Sequence, residues 1–258
     1  LVLDMHVGND CTAESLTGVF SCSKGAGALV MALLVQEGVL DLEAPVALYW
    51  PEFAAAGKEN ITVAQLLSHQ GGLPGVEGGF TQEELIDSRL AAGIIAAAAP
   101  LWNSPGTHSY HALTMGVFME ELARRAALEP LQDIFERRIR APHEIDFYLG
   151  LPEDQESRFR PVLTVQDAEP YPFVDPYSPL GLALNSTAGF DGPKGPGFEI
   201  LDVPNVRSIR EAGMAAIGGV ANAHGLASLY AAATTGFVDR AGDEHAPFLD
   251  AATIATVS

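Results

Sequence analysis

Ser21 and Lys24 stand three residues apart in the stretch Val19-Phe20-Ser21-Cys22-Ser23-Lys24-Gly25. If a helix opens at Ser21, Lys24 lies one turn further along the same face. A serine hydroxyl is a weak nucleophile that needs an adjacent base, and a lysine amine is a base only when neutral. Residues 26–35 carry no charged or strongly polar side chain, so Lys24 is the only charge of this segment before Glu37. Burial there disfavours the ammonium form and lowers its pKa. The partial positive charge of a helix N-terminus acts in the same direction and also favours a developing oxyanion. The spacing therefore suits nucleophilic catalysis by Ser21 with Lys24 as general base. With 13 Ser and 3 Lys in 258 residues, S-x-x-K arises by chance about 0.15 times. The pair alone is thus also consistent with a plain N-cap and a snorkelling lysine. Ser23 is the rival nucleophile, but it points to another helix face. Cys22 reads as a small buried hydrophobe.

The elements that must position this pair can be followed along the chain. Residues 1–7 are apolar enough for an edge strand. The run after Lys24 is apolar all round, the pattern of a helix buried on every side, and Gly38 stops it. Thr62 with Gln65 forms a capping-box pattern, with Ile61 and Leu66 as its hydrophobic staple, and the glycines after His69 end that helix. Thr81 with Glu84 opens a second, which the composition extends to Ala98, before Pro100. Trp102 lies in an irregular loop that leads through Pro105-Gly106 to Tyr110 and a helix ending near Ala127. Residues 129–140 predict another helix. From Pro142 to Pro204 the periodicity weakens, and helical patterns return at Asn205 and at Asn222.

A chain of 258 residues, 48% hydrophobic and 18% charged, can bury a substantial core. Its net charge of −19 argues against nucleic acid or an anionic membrane as partner. Two cysteines, Cys11 and Cys22, do not make a disulfide scaffold. No apolar run reaches the length of a membrane span. His69, His108 and His111 lack a carboxylate at metal-ligand spacing and H-E-x-x-H is absent; no metal is expected. Residues 192–197 are glycine-rich but lack the P-loop pattern. Glu153, Asp154 and Glu156 read as a solvated loop.

Four stretches together resemble the serine beta-lactamase-like family, which includes class C beta-lactamases, penicillin-binding DD-peptidases and carboxylesterases. They are Phe20-Ser21-Cys22-Ser23-Lys24-Gly25; residues 38–46; residues 61–69 with Gly72-Leu73; and Pro105-Gly106 followed by Tyr110-His111-Ala112. The resemblance implies an acylated Ser21, a general base in Lys24, and in Tyr110 the tyrosine of the Y-x-N motif, which relays a proton to the leaving group. It also implies that the Ser21 backbone N–H is half of an oxyanion hole. His111 is expected at the wall of the substrate cleft or behind Tyr110, and Trp102 either in the acyl pocket or in loop packing beside Pro105-Gly106. Ala112 stands where the beta-lactamases and peptidases have Asn, so the resemblance is to the esterase branch.

The fold implied is α/β and beta-lactamase/transpeptidase-like, with an incomplete antiparallel-sheet domain and a large, mostly helical one. Residues 1–60 would belong to the first, with the nucleophile helix, and 61–258 to the second. No K-T-G motif is found. The chain therefore reads as a fragment without the first strands and the third motif, so the lack of a leader is uninformative; a cytoplasmic location is favoured. The expected function is cleavage of small-molecule carboxylic esters through an acyl-enzyme, with no cofactor. The alternatives are a beta-lactamase or DD-peptidase, and a non-catalytic binding protein on the same scaffold.

Overall fold

The computed structural model describes residues 4–257 except 9, 105, 164–173, 185–190, 193–194, 197–199 and 239–241. Strand β1 (Thr17–Gly18) leads through a sharp turn into α1 (Cys22–Gln36). Ala26, Val30, Leu34 and most of the side chains between them are buried, as an all-apolar helix requires. Gly38, at φ +68°, closes α1. The Gly38 and Val39 N–H groups donate back to the Val35 and Leu34 carbonyls, the hydrogen-bond pair of a Schellman cap.

Helix α2 (Val63–Leu67) has the capping box read from Thr62 and Gln65, and Ile61 and Leu66 are both buried. Helices α3 (Gln82–Ile86) and α4 (Ser88–Ala97) occupy the segment predicted as one helix from Thr81 to Ala98. The Thr81–Glu84 capping box is present. The break falls at Asp87, whose ψ of 90° takes the chain out of helix and whose carboxylate then accepts from Arg89 N–H to cap α4. An Asp that can start a new helix competes with continuing the old one.

Helix α5 (Thr114–Ala126) is followed by α6 (Leu131–Phe135), which runs on as a π-helical turn over Glu136–Arg140. Further on come β2 (Phe147–Tyr148), α7 (Pro179–Leu184), the two-residue pair β3 (Asp191–Gly192) and β4 (Gly195–Pro196), and α8 (Arg207–Ala212). The described part of the chain ends with β5 (Val220–Ala221), α9 (Ala223–Thr234), β6 (Phe237–Val238), β7 (Glu244–His245) and α10 (Ala251–Val257). Residues 4–7 form no strand, and residues 1–3 lie outside the described residues, as does part of the glycine-rich stretch 192–197. Among the described residues, no helix is long and apolar enough to cross a membrane.

The fold is mixed α/β with a small antiparallel sheet, ordered β1-β5-β2. Thr17 and Phe147 both pair with Ala221. The sheet places the segment before β5 directly against the entry to α1. One cluster of buried apolar side chains joins α1 to α2, α4, α5, α6 and α9.

Lys58 is fully buried among these helices. Its ammonium donates to the carbonyls of Ala55 (2.7 Å), Ala96 (3.0 Å) and Ala98, and so satisfies the C-terminal end of α4 where a cation is favoured. Replacing it leaves one buried and two partly buried carbonyls without their donor. Lys58→Ala is expected to lower the unfolding free energy by about 3 kcal/mol, measured by urea denaturation, with Lys58→Arg recovering part of the loss.

Candidate active site

The chain enters α1 through a strained turn. Phe20 has φ +47°, a left-handed conformation that a residue with a side chain adopts at some cost. Hydrogen bonds hold it there. Val19 N–H donates to Gly219 O at 3.0 Å, and Ser23 N–H to Phe20 O at 2.9 Å. The buried Ser23 hydroxyl donates to Phe20 O (2.5 Å) and accepts from Gly219 N–H (2.8 Å). Ser23 is therefore a buttress between α1 and the segment before β5.

Ser21 is the N-cap residue of α1, but its side chain makes no capping bond. Its exposed Oγ instead accepts from Tyr110 Oη at 2.7 Å and from Lys24 Nζ at 3.2 Å. Lys24 Nζ also donates to Ala216 O at 2.9 Å and lies 5.1 Å from the Tyr110 ring centre. Among the described residues no carboxylate pairs with it, and burial brings its pKa down from 10.5 to about 7. A neutral Lys24 that gives one N–H to Ala216 O can turn its lone pair towards the Ser21 hydroxyl. A cavity of about 500 Å³ opens beside Lys24, walled by Met31, Leu42, Leu67 and Met119, with His69 at its edge.

Tyr110 is held from behind by two histidines. His111 is buried; its Nδ1–H donates to Ser109 O (2.7 Å) and its Nε2 accepts from Leu73 N–H (3.1 Å). Those partners require the neutral ring, and burial pushes its pKa down to about 4. His69 ends α2 at φ +66°, and its Nδ1 accepts from His111 N–H at 3.0 Å. Its ring lies 5.3 Å from that of Tyr110. Burial, then the nearby charge of Lys24, lowers its pKa. Trp102 is half-buried. Its indole N–H donates to Thr107 O (3.0 Å) and its ring meets His111 edge-on at 6.3 Å. Gly72, at φ +71°, is needed here, because a Cβ would lie 2.5 Å from Trp102 O.

The Beta-lactamase family profile matches residues 2–255. The chain belongs to the beta-lactamase family. Within it, the chain is 35% identical to an "Esterase/beta-lactamase LipL" of Mycobacterium tuberculosis over 227 residues, 87% of this chain and 52% of that protein. It superposes on EstA from Arthrobacter nitroguajacolicus with a TM-score of 0.90 and 51% identity, covering 100% of this chain and 66% of that one. A family VIII carboxylesterase matches with a TM-score of 0.78 and 30% identity, covering 95% and 61%. The chain thus spans about half the length of the curated relative and under two thirds of the two structures. The fold is that of the beta-lactamases and transpeptidases.

The fold brings the side chains of Ser21, Lys24 and Tyr110 together. His111 and Trp102 sit behind Tyr110, one buried and one half-buried. Cys22, read as buried, is exposed, because it opens α1 before the helix enters the core. Sequence reasoning missed the Ala216 carbonyl, for which no side-chain signal exists. It also missed Glu120, the first of two adjacent acids following the apolar run Met115 to Met119, which is the signal that could have found it.

The burial of Lys24 has a consequence for stability. Its pKa is lower folded than unfolded, so between about pH 7 and 10.5 the unfolded chain binds more protons. Unfolding free energy should therefore rise with pH across this window, and Lys24→Met should flatten the rise, measured by denaturant titration at stepped pH. An equal slope in the variant would mean that Lys24 is solvated.

Proposed function

We propose that this chain carries the acylating site of a serine hydrolase acting on small-molecule carboxylic esters. The observation that carries this reading is the placement of Ser21 Oγ within hydrogen-bond reach of both Tyr110 Oη and a Lys24 amine whose ammonium form is disfavoured by burial. Relatives named esterase and carboxylesterase support the substrate class.

The chemistry follows from these contacts. Neutral Lys24 takes the Ser21 proton as Oγ bonds to the ester carbonyl carbon. The carbonyl oxygen becomes an oxyanion at the N-terminus of α1, where Ser21 N–H can donate to it. As the carbon–oxygen bond to the alcohol breaks, the leaving oxygen takes a proton from Tyr110, which recovers one from the Lys24 ammonium. Water then attacks the acyl carbon, gives its proton back through the same groups, and frees the acid and Ser21. We assign Tyr110 to proton relay. His69, His111 and Trp102 are assigned to holding the Tyr110 loop; for His111 and Trp102 this is the second of the two places expected from the sequence. Ala112, two residues beyond Tyr110, offers no hydrogen-bonding side chain to an amide, which favours esters over beta-lactams and peptides.

Intact-mass labelling with a fluorophosphonate tests the nucleophile. A single adduct is expected, lost in Ser21→Ala and reduced by at least about 100-fold in rate in Lys24→Ala. No adduct on folded wild-type protein would favour a binding protein on this scaffold. The labelling rate should climb as pH rises through about 7, because the amine must be neutral to act as base. A rate independent of pH between 5 and 9 would remove Lys24 from the base role (about two units on either side of that value). If labelling succeeds, turnover of a p-nitrophenyl ester should exceed that of a chromogenic cephalosporin; the reverse order would move the site to beta-lactam chemistry.

A further inference from the structure

Glu120 lies in the middle of α5, is almost fully buried, and takes no part in the chemistry above. Its carboxylate accepts from Ala215 N–H at 2.7 Å. Ala215 precedes the residue whose carbonyl receives Lys24 Nζ. The Ser88 hydroxyl and the Gln132 amide are further hydrogen-bonding neighbours of the carboxyl, and Gln132 also donates to Gly213 O at 3.2 Å. Glu121, the next acid on the helix, faces Arg124 and Arg125 instead.

The same surface of α5 leaves no slack against this segment. A Cβ on Gly116 would lie 2.6 Å from Ala216 N, and one on Gly27 of α1 would lie 2.8 Å from Met119 and 3.3 Å from Ala215. Gly27, Gly116, Ala215 and Ala216 thus let α1, α5 and residues 213–219 approach closely, with the Met119 side chain against Gly27. Glu120 supplies the directional bond at that meeting. We infer that Glu120 is a positioning residue for the site: through Ala215 N–H it fixes the Ala216 carbonyl that orients the Lys24 amine.

This rests on the reading of Lys24 as the base, and it explains how that amine is aimed. Helix α5 would then serve both partners of Ser21. Its first turn follows the Tyr110 loop, where Thr114 Oγ1 donates to Leu73 O (2.8 Å), and its middle holds the acceptor for Lys24. Burial raises the Glu120 pKa to about 7, so the carboxyl is near the point of carrying a proton. A glutamine, neutral and with one carbonyl oxygen, should therefore replace it well. Titratable groups near Lys24 include Tyr110 and His69.

The test compares Glu120→Gln with Glu120→Met, which are similar in volume but differ in having an oxygen for Ala215 N–H. Glu120→Ala stands in if the methionine variant does not fold. The first readout needs no activity. The chain has three lysines, so NMR of protein labelled at the lysine side chains, with Lys24→Met for assignment, follows the titration of Lys24 directly. Glu120→Gln should leave that titration in place, and Glu120→Met should move it upward as the site loosens and admits water. The second readout is fluorophosphonate labelling at pH 7, expected within about twofold of wild type for glutamine and down by about tenfold or more for methionine.

A Lys24 titration that does not move in Glu120→Met, or that moves equally in Glu120→Gln, would overturn the inference. Absence of labelling in wild-type protein would count against the hydrolase reading alone, since the NMR titration still decides whether Glu120 aims Lys24.

Discussion

Lys24 Nζ donates to the Ala216 carbonyl in a partly buried setting that disfavours its ammonium form. The candidate site depends on that contact. An amine left in solvent would stay charged at neutral pH and could not accept a proton from Ser21. An amine buried beside a carboxylate would stay charged as well, because the pair would stabilise the ion. A backbone carbonyl does neither. It orients one N–H while leaving the ionic form unsupported.

Two hydrogen bonds make that arrangement rigid where it matters. Ser23 ties the turn before α1 to Gly219, three residues beyond Ala216. Glu120 ties α5 to Ala215, one residue before it. Between these ties the carbonyl has little freedom. The strained Phe20 belongs to the same design, since its left-handed conformation lets the chain leave β1 and begin α1 with Ser21 outward. Such strain persists only where surrounding contacts over-determine it.

Stability is given up for this. Lys24 and Glu120, whose charged forms burial disfavours, both oppose folding. The fold carries them because α1, α5 and the sheet segment pack through small residues, which brings backbone polar groups close enough to serve as partners. Lys58 illustrates the same solution away from the site, with three carbonyls as its hydrogen-bond acceptors.

Much was legible in the sequence because its causes are local. The S-x-x-K spacing follows from the helical period. The buried α1 follows from an apolar run closed by Gly38, and both capping boxes follow from residue types three apart. The break at Asp87 was missed because continuation of helix and a new cap compete at one residue, and composition favours both. Which groups meet Ser21 Oγ is a different matter. Tyr110 comes from 89 residues away, and Ala216, which holds Lys24, lies 192 residues beyond that lysine. The family resemblance pointed to Tyr110, but no periodicity in the chain could. That His111 would turn inward, that a main-chain carbonyl would aim the lysine, and that Glu120 would hold that carbonyl were decided only by tertiary packing, because burial and backbone partners belong to the assembled core and not to any one segment.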